Sequence, residues 1–458
     1  PRRFGYAALS HPAGKLALQA MSERIGTRII VVSAGVAAAW TVTAIGAAWI
    51  TEGPATALTV AGRACGLLGL VLLLVSAVLS ARIPRLDRWF GGLTDLWQVH
   101  HVLGGVSLVL LMAHPLLLAL AASADAKELG AAVDVLLPQP ADWAIWTGWL
   151  SLVLMMVFLA PSFAFFGRPR YERWKKLHRL AAPAVVLGLI HAAQFGALLP
   201  DPAYRILLLA FGLAAIGSLI WHLGLARRFA RLHYRVDRLV SIANNVVELA
   251  LVPTGKRHLE YEAGQFVYLT PLDRKLAAGY GEEHPYTLTS APEEPHLSVA
   301  IKSLGDATRA IQTIRPGSPV LIDGPFGYLF PARCERDQIW IAGGIGIAPF
   351  LGRIRHLTHA GSEQDLQLIY CVQDEARARF ADELKAMSEH HDWFSLHLHL
   401  FYSQGPLDRS FLLQCCPDIG DREAFVCGPP PLDRLARRLL RESGIPRRRI
   451  RHESFELL

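Results

Sequence analysis

The chain has 458 residues, of which 52% are hydrophobic and 19% charged, and a formal net charge of +7. That length exceeds one ordinary domain and that apolar fraction excludes a wholly soluble protein, so two differently solvated parts are expected. The positive charge gathers beside apolar runs, which points to membrane topology and away from a nucleic-acid partner.

In chain order, apolar runs fill roughly 28–50, 62–80, 96–122, 143–165, 179–199 and 203–225, each near the length of about 20 residues that a spanning helix needs. Arg2, Arg3, Lys15, Arg24 and Arg28 lead into the first run without a cleavage site, so no signal peptide is expected. Arg82, Arg85 and Arg88 follow the second run, the segment Arg168 to Lys176 follows the fourth, and Arg227, Arg228, Arg231 and Arg235 follow the sixth. The alternate loops carry Glu52, Asp125, Glu128, Asp134, Asp142 and Asp201, with Lys127 as their one lysine. The positive-inside rule then predicts a multi-pass protein of the cell membrane with both termini cytoplasmic.

Two of these runs hold paired histidines: His100 and His114 in the third, His178 and His191 in the fifth. Ionisable groups inside membrane spans are rare and mostly functional. Each pair spans roughly 20 Å along a helix, which fits inside a hydrocarbon core of about 30 Å. A step of fourteen residues ends about 40° from its starting face, so His100 and His114 share a side and His101 points elsewhere, in reserve as a substitute ligand. A step of thirteen ends about 140° away, and Pro183 between His178 and His191 predicts a kink that restores the facing. The pattern predicts two haems, each held by two imidazoles, with His100 and His178 near the cytoplasmic face and His114 and His191 near the outer one. Six ligands leave no open iron position, which suits electron transfer. Cys65, Cys334, Cys371, Cys415, Cys416 and Cys427 show no zinc or CxxC spacing and are expected as reduced thiols.

From about residue 235 the pattern turns to short strands, at Val246 to Val252, Gln265 to Thr270 and Leu297 to Lys302, which predicts a small antiparallel barrel. The run His284-Pro285-Tyr286-Thr287-Leu288-Thr289-Ser290 puts a ring and a hydroxyl side by side at a strand end, the pair a flavin needs for stacking and for a hydrogen bond at its edge. Lys302, Gly305, Asp306 and Thr308 follow a strand and precede a helix, where a hydroxyl and free amides are placed for a pyrophosphate. The strand Asp337 to Ala342 leads into Gly343-Gly344-Ile345-Gly346-Ile347-Ala348-Pro349 and a helix, a turn that brings backbone close to a phosphate. Cys427-Gly428-Pro429 follows the strand Ala424 to Val426 and sets a thiol at the carboxyl end of a sheet.

With these motifs in hand, the sequence from about 28 to 458 resembles the superfamily of ferric reductases and NADPH oxidases. The paired histidines are similar to that family's haem spacing, the run at 284–290 to its flavin motif, and 343–349 with 427–429 to its nicotinamide motifs. The resemblance implies that Tyr286 packs on the flavin and Thr287 bonds its edge, that His284, Pro285 and Ser290 shape the pocket, and that Lys302 and Thr308 meet phosphate. It implies further that Gly343, Gly344, Gly346, Gly428 and Pro429 approach the dinucleotide, that Cys427 lies beside the nicotinamide, and that Phe455 shields the flavin, although Leu457 stands where relatives often carry a second aromatic. Two positions depart from the family. Leu118 stands where the oxidases carry a histidine one turn after the outer ligand, leaving Arg63 as the positive charge beside the outer haem. Gln373 replaces an arginine that selects phosphate, with Arg377 and Arg379 close by, so the choice of NADPH or NADH stays open.

The expected architecture is a membrane all-α six-helix haem bundle followed by an antiparallel β-barrel FAD domain and an α/β nucleotide-binding domain. The segments are 1–27, a cytoplasmic lead; 28–226, the di-haem domain; 233–335, the FAD domain; and 336–458, the NAD(P) domain. The implied activity is electron transfer from NAD(P)H through FAD and two haem b to a small-molecule acceptor, a ferric chelate or oxygen. A membrane-anchored flavin reductase, or a haem subunit serving a partner protein, is the alternative.

Overall fold

Long runs of Leu, Val and Ala, interrupted by glycines at helix contacts, build the first part of the chain. The computed structural model describes residues 26–30, 33, 43, 46–47, 49–82, 86–137, 139–162, 171–195, 202–221, 224, 231–243, 245–331 and 334–453. Two compact units divide the chain, Pro1–Arg228 and Phe229–Leu458.

In the first unit α1 (Pro54–Leu79) starts with its proline in the first turn, where a missing N–H costs nothing. It runs antiparallel to α2 (Leu93–Ala126), which ends on Lys127 in the left-handed region. Small residues let these two backbones approach: a Cβ on Gly62 would lie 2.9 Å from Leu118, one on Gly66 2.8 Å from His114, and one on Gly69 2.8 Å from Leu111. After a short helix α3 (Leu129–Leu136) comes α4 (Trp143–Leu159), which packs antiparallel on α6 (Ala181–Phe195); Ser151 Oγ donates to the Ala184 carbonyl at 2.7 Å. Leu70, Leu74, Leu108, Met155, Phe158 and Val185 form the shared core. Val102, Val106, Val109, Met112, Leu116 and Leu120 of α2 are exposed, an apolar face suited to lipid.

Three described helices are long and apolar enough to cross a membrane, Pro54–Leu79, Leu93–Ala126 and Trp143–Ser162. Of the other expected spans, 28–50 lies largely outside the described residues, and the last corresponds to α7 (Pro202–Ile220), whose apolar part is Leu208–Ile220. In the fifth, the helix is interrupted at Arg179 and Leu180, just before Pro183, the residue at which the sequence predicts a kink. Helix α5 (Tyr171–His178) closes in tight turns, Arg179 N–H to the Lys176 carbonyl at 3.3 Å and Leu180 N–H to the Leu177 carbonyl at 3.0 Å, before α6 begins. Pro183 brings no N–H for the Arg179 carbonyl, which accepts instead from Ala182 N–H at 3.2 Å, so the chain tightens at this point.

The second unit opens with β1 (Leu232–Ala243), where buried Leu232, Tyr234 and Val236 alternate with exposed His233 and Arg235, the period of a half-covered strand. With β2 (Val246–Pro253), β3 (Phe266–Pro271), β4 (His284–Thr287), β5 (Leu297–Lys302) and β6 (Pro319–Phe326) it makes a six-stranded antiparallel sheet in the order β4-β3-β6-β1-β2-β5. A single antiparallel bridge, Leu288 to Val299, links the run after β4 to β5. The short helix α8 (Asp306–Ala310) lies between β5 and β6.

Next comes a five-stranded parallel sheet, β7 (Gln338–Gly343), β8 (Leu366–Val372), β9 (Phe394–Leu400), β10 (Glu423–Cys427) and β11 (Ile450–Glu453), in the order β11-β10-β7-β8-β9. Helices α9 (Ala348–Ala360), α10 (Ala381–His390), α11 (Arg409–Cys415) and α12 (Pro430–Glu442) make the crossovers. The strand order reverses between β7 and β10, and ligands of open α/β sheets bind at such a switch point, beyond the carboxyl ends of the strands. Both the glycine turn after β7 and the Cys427-Gly428-Pro429 turn after β10 leave the sheet there.

Candidate functional site

In the helical unit the four histidines meet as two pairs. The rings of His100 and His178 have centroids 6.2 Å apart, those of His114 and His191 6.3 Å. Two metal–nitrogen bonds of about 2 Å plus half an imidazole at each end come to about 6 Å, so a metal ion fits between the members of each pair. No group of three or more His, Cys, Asp or Glu placed for a metal exists among the described residues, so the pairs stand alone as two-ligand sets.

Each ring is oriented by its neighbours. His100 Nδ1 lies 2.9 Å from the Ser76 carbonyl and 2.8 Å from Ser76 Oγ; His114 Nδ1 is 2.8 Å from the Gly62 carbonyl, and His191 Nδ1 2.9 Å from that of Ala144. A carbonyl can only accept, so Nδ1 carries the proton and Nε2 is left with its lone pair, the arrangement of metal-ligating histidines. His178 sits between rings instead, 5.1 Å from Phe158 and 4.9 Å from Trp174. His101 turns to the Trp97 carbonyl, 2.7 Å away, on its own helix, which leaves it outside both pairs. Gly66 and Gly148 are the cradles of the His114–His191 pair: a Cβ would fall 2.8 Å from His114 Nδ1 and 2.7 Å from His191 Nδ1. Sequence reasoning missed both, and glycines on neighbouring helices at the depth of the ligands were the available signal. Leu118 packs on Gly62, and exposed Arg63 adjoins the glycine whose carbonyl holds His114.

In the second unit β4 delivers His284, Pro285, Tyr286 and Thr287 in order, the first three half-buried and Thr287 buried. Burial pushes the Tyr286 phenol well above its usual range, keeping it a neutral ring. Ser290 Oγ lies 2.7 Å from Tyr261 Oη and accepts from Ser298 N–H at 2.9 Å. Thr308 Oγ1 accepts from Leu304 and Gly305 N–H, both at 2.8 Å, so the hydroxyl and two nearby amides expected for a pyrophosphate are engaged in closing the turn before α8. Burial, then Arg379 and Arg377, hold the Lys302 ammonium below its usual range. Arg377 is paired with Asp374 and lies over the Tyr402 ring, and buried Arg379 donates to Asn245 Oδ1 at 2.7 Å.

At the switch point only glycine fits. A Cβ on Gly346 would sit 2.4 Å from the Cys427 carbonyl oxygen, and one on Gly343 2.5 Å from Leu432 and 2.8 Å from Pro429; Gly344 has φ +55 and opens to free space. A Cβ on Gly428 would stand 3.1 Å from the Gly343 nitrogen. Cys427 is fully buried, and burial followed by Glu453 and Asp433 raises its thiol well above the ordinary value, so it is a neutral wall rather than a base. Glu453 is the residue the sequence reading passed over: it pairs in register with Cys427, its Oε2 is buried with no hydrogen-bond partner among the described residues, and burial pushes its carboxyl up to about 7. Its place one strand from Cys427 was the signal. Phe455 lies outside the described residues.

Three family models match in succession: a ferric reductase like transmembrane component over residues 65–189, an FAD-binding domain over 231–329 and an oxidoreductase NAD-binding domain over 340–438. This is a transmembrane helical domain followed by ferredoxin-reductase-type FAD and NAD domains. The chain belongs to the ferric reductase and NADPH oxidase superfamily. It is 27% identical to dual oxidase 2 of Sus scrofa over 310 residues, covering 59% of this chain and 18% of the oxidase. To a superoxide-generating NADPH oxidase heavy chain of Dictyostelium discoideum it is 28% identical over 244 residues, covering 48% of this chain and 33% of the other. The chain thus spans a third or less of the length of these curated relatives. Among solved structures, the flavohem-like FAD/NAD binding domain of nitric oxide dioxygenase from Vibrio cholerae superposes with a TM-score of 0.44 at 20% identity, over 49% of this chain and 98% of that one.

Proposed function

We propose that this chain is a transmembrane oxidoreductase that carries electrons from cytoplasmic NAD(P)H through FAD and two bis-histidine haems to an acceptor on the outer face. The observation that carries the reading is the pair of histidine contacts at 6.2 and 6.3 Å, both anchored on the continuous helix α2. A six-helix domain over 28–226, a closed FAD barrel over 233–335, supported by the Leu288–Val299 bridge, and an NAD(P) domain over 336–458 complete it. When bound, haem supplies one-electron chemistry and FAD exchanges two electrons for one. His100, His178, His114 and His191 orient and hold the iron. Tyr286 offers a neutral flat ring and Thr287 a hydroxyl to the flavin, with His284 and Pro285 beside them. Gly343, Gly344, Gly346, Gly428 and Pro429 let the dinucleotide approach, Cys427 walls its ring, and Phe455 covers the flavin until it is displaced. Lys302, with Arg377 and Arg379 near it, gathers positive charge for a dinucleotide phosphate.

The acceptor is a ferric chelate or oxygen. With Leu118 apolar, Arg63 is the charge that draws an anion to the outer histidines. The test uses proteoliposomes with NAD(P)H on the cytoplasmic side. A haem ratio of about two per chain by pyridine haemochrome, together with ferric-chelate or superoxide production outside, is the expected result. Flavin turnover without haem makes the chain an anchored flavin reductase. Haem reduction without turnover on either acceptor makes it a component that serves a protein partner.

A further inference from the structure

Helix α9, which begins at the end of the glycine turn, presents three residues on one face, Gly352, Arg355 and His356, at the i, i+3, i+4 spacing of helical neighbours. All three meet the run 288–293, which continues directly from Tyr286 and Thr287. A Cβ on Gly352 would stand 2.8 Å from the Leu288 carbonyl oxygen. Arg355 Nη1 donates to the Thr289 carbonyl at 3.0 Å and to Glu248 Oε1 at 2.9 Å, while Nε and Nη2 grip Glu383 at 2.7 and 2.9 Å. Thr289 Oγ1 donates to the same Glu248 oxygen at 2.6 Å, and His356 Nδ1 lies 2.8 Å from Glu293. The Phe380 ring covers the guanidinium from 5.9 Å.

One guanidinium therefore ties strand β2, the end of the flavin run and α10 to the helix that carries the glycine turn. We infer that Arg355 is a positioning residue: its fork, seated on Thr289, Glu248 and Glu383, sets the distance between the nicotinamide face of the parallel sheet and the flavin face of the antiparallel one. The inference rests on the proposed entry of hydride at this module. It reaches residues that touch neither cofactor. Hydride transfer needs reacting atoms about 3–3.5 Å apart, and a displacement of about 1 Å costs roughly a hundredfold in rate. Lysine keeps the charge but not the planar fork, so it cannot hold all three partners.

The test takes the full-length protein loaded with FAD and haem and follows anaerobic flavin reduction by stopped flow. Arg355→Lys and Arg355→Met are expected to lower the limiting rate at saturating NAD(P)H by at least about tenfold. The half-saturating concentration and the FAD content should stay within about twofold, and the primary deuterium isotope effect with nicotinamide labelled at the transferred position should rise as hydride transfer becomes the slow step. Reduction by dithionite, which needs no alignment, stays as in the parent. A limiting rate within twofold of the parent overturns the inference. So does a loss matched by falling FAD content in Arg355→Lys, the milder variant, because that is a structural effect alone. A parent protein that no reduced nicotinamide can reduce overturns the proposed function instead, which keeps the two failures apart.

Discussion

In the helical unit the candidate groups are side chains fixed by the carbonyls of other helices, whereas at the switch point of the second unit they are largely backbone atoms bared by glycine. The contrast follows from the solvent. Inside a bilayer a polar group has no water to fall back on, so each of His100, His114 and His191 must spend Nδ1 on a protein acceptor, and that same bond aims Nε2. In water a phosphate-bearing ligand is met by N–H groups that side chains would only obstruct, so Gly343 and Gly346 exclude every Cβ. Chemistry is written in residue type in the first case and in residue absence in the second.

Four measurements break or sharpen that contrast. The largest effect is expected for His114→Ala, which should drop the haem ratio from about two to about one per chain and abolish transfer to external acceptors, because no third metal-binding side chain joins His114 and His191 among the described residues; an unchanged haem spectrum would reassign this pair to packing. Gly346→Ala forces a Cβ against the Cys427 carbonyl, backbone against backbone. Nicotinamide-driven flavin reduction should fall by about a hundredfold with FAD retained, since about 1 Å of displacement suffices for that; stopped flow and FAD content measure the two parts. Tyr286→Ala should weaken FAD by about two- to tenfold, the worth of an aromatic pair of roughly 0.5–1.5 kcal/mol, read by titration of the apoprotein.

The smallest effect concerns pH. Burial raises the Glu453 carboxyl from 4.5 to about 7, so the folded state favours the protonated form. The stability this group contributes is complete below pH 4.5 and is lost as pH rises through 7. The midpoint of heat-induced flavin release should therefore decline across that window in the parent and decline less in Glu453→Gln; parallel curves would show that Glu453 is ionised in the fold.

Much of this was legible in advance. The meeting of the histidines followed from residue type and spacing for His100 and His114 and needed Pro183 for His178 and His191, and the strands 246–252 and 297–302 followed from their alternation and flanking turns, β2 and β5 matching them to within a residue. In the fifth span the proline announced a disturbed helix, but the place of the interruption, at Arg179 and Leu180, depends on tight turns that spacing alone does not give. The local partners of Ser290 and Thr308, Tyr261 and Ser298 for one and two turn amides for the other, were not legible, because composition does not announce where a hydroxyl bonds. Glu453 escaped notice because its meaning comes from a parallel ladder to Cys427, a contact between residues 26 positions apart.

The interruption between α5 and α6 bears on how the protein is put together. His100 and His114 ride on one uninterrupted helix, but their partners His178 and His191 sit on separate pieces joined at Arg179 and Leu180. Each partner can settle against α2 without dragging the other into register. The two meetings accordingly differ in attitude, the His178 ring standing at 63° to His100 and the His191 ring at 75° to His114.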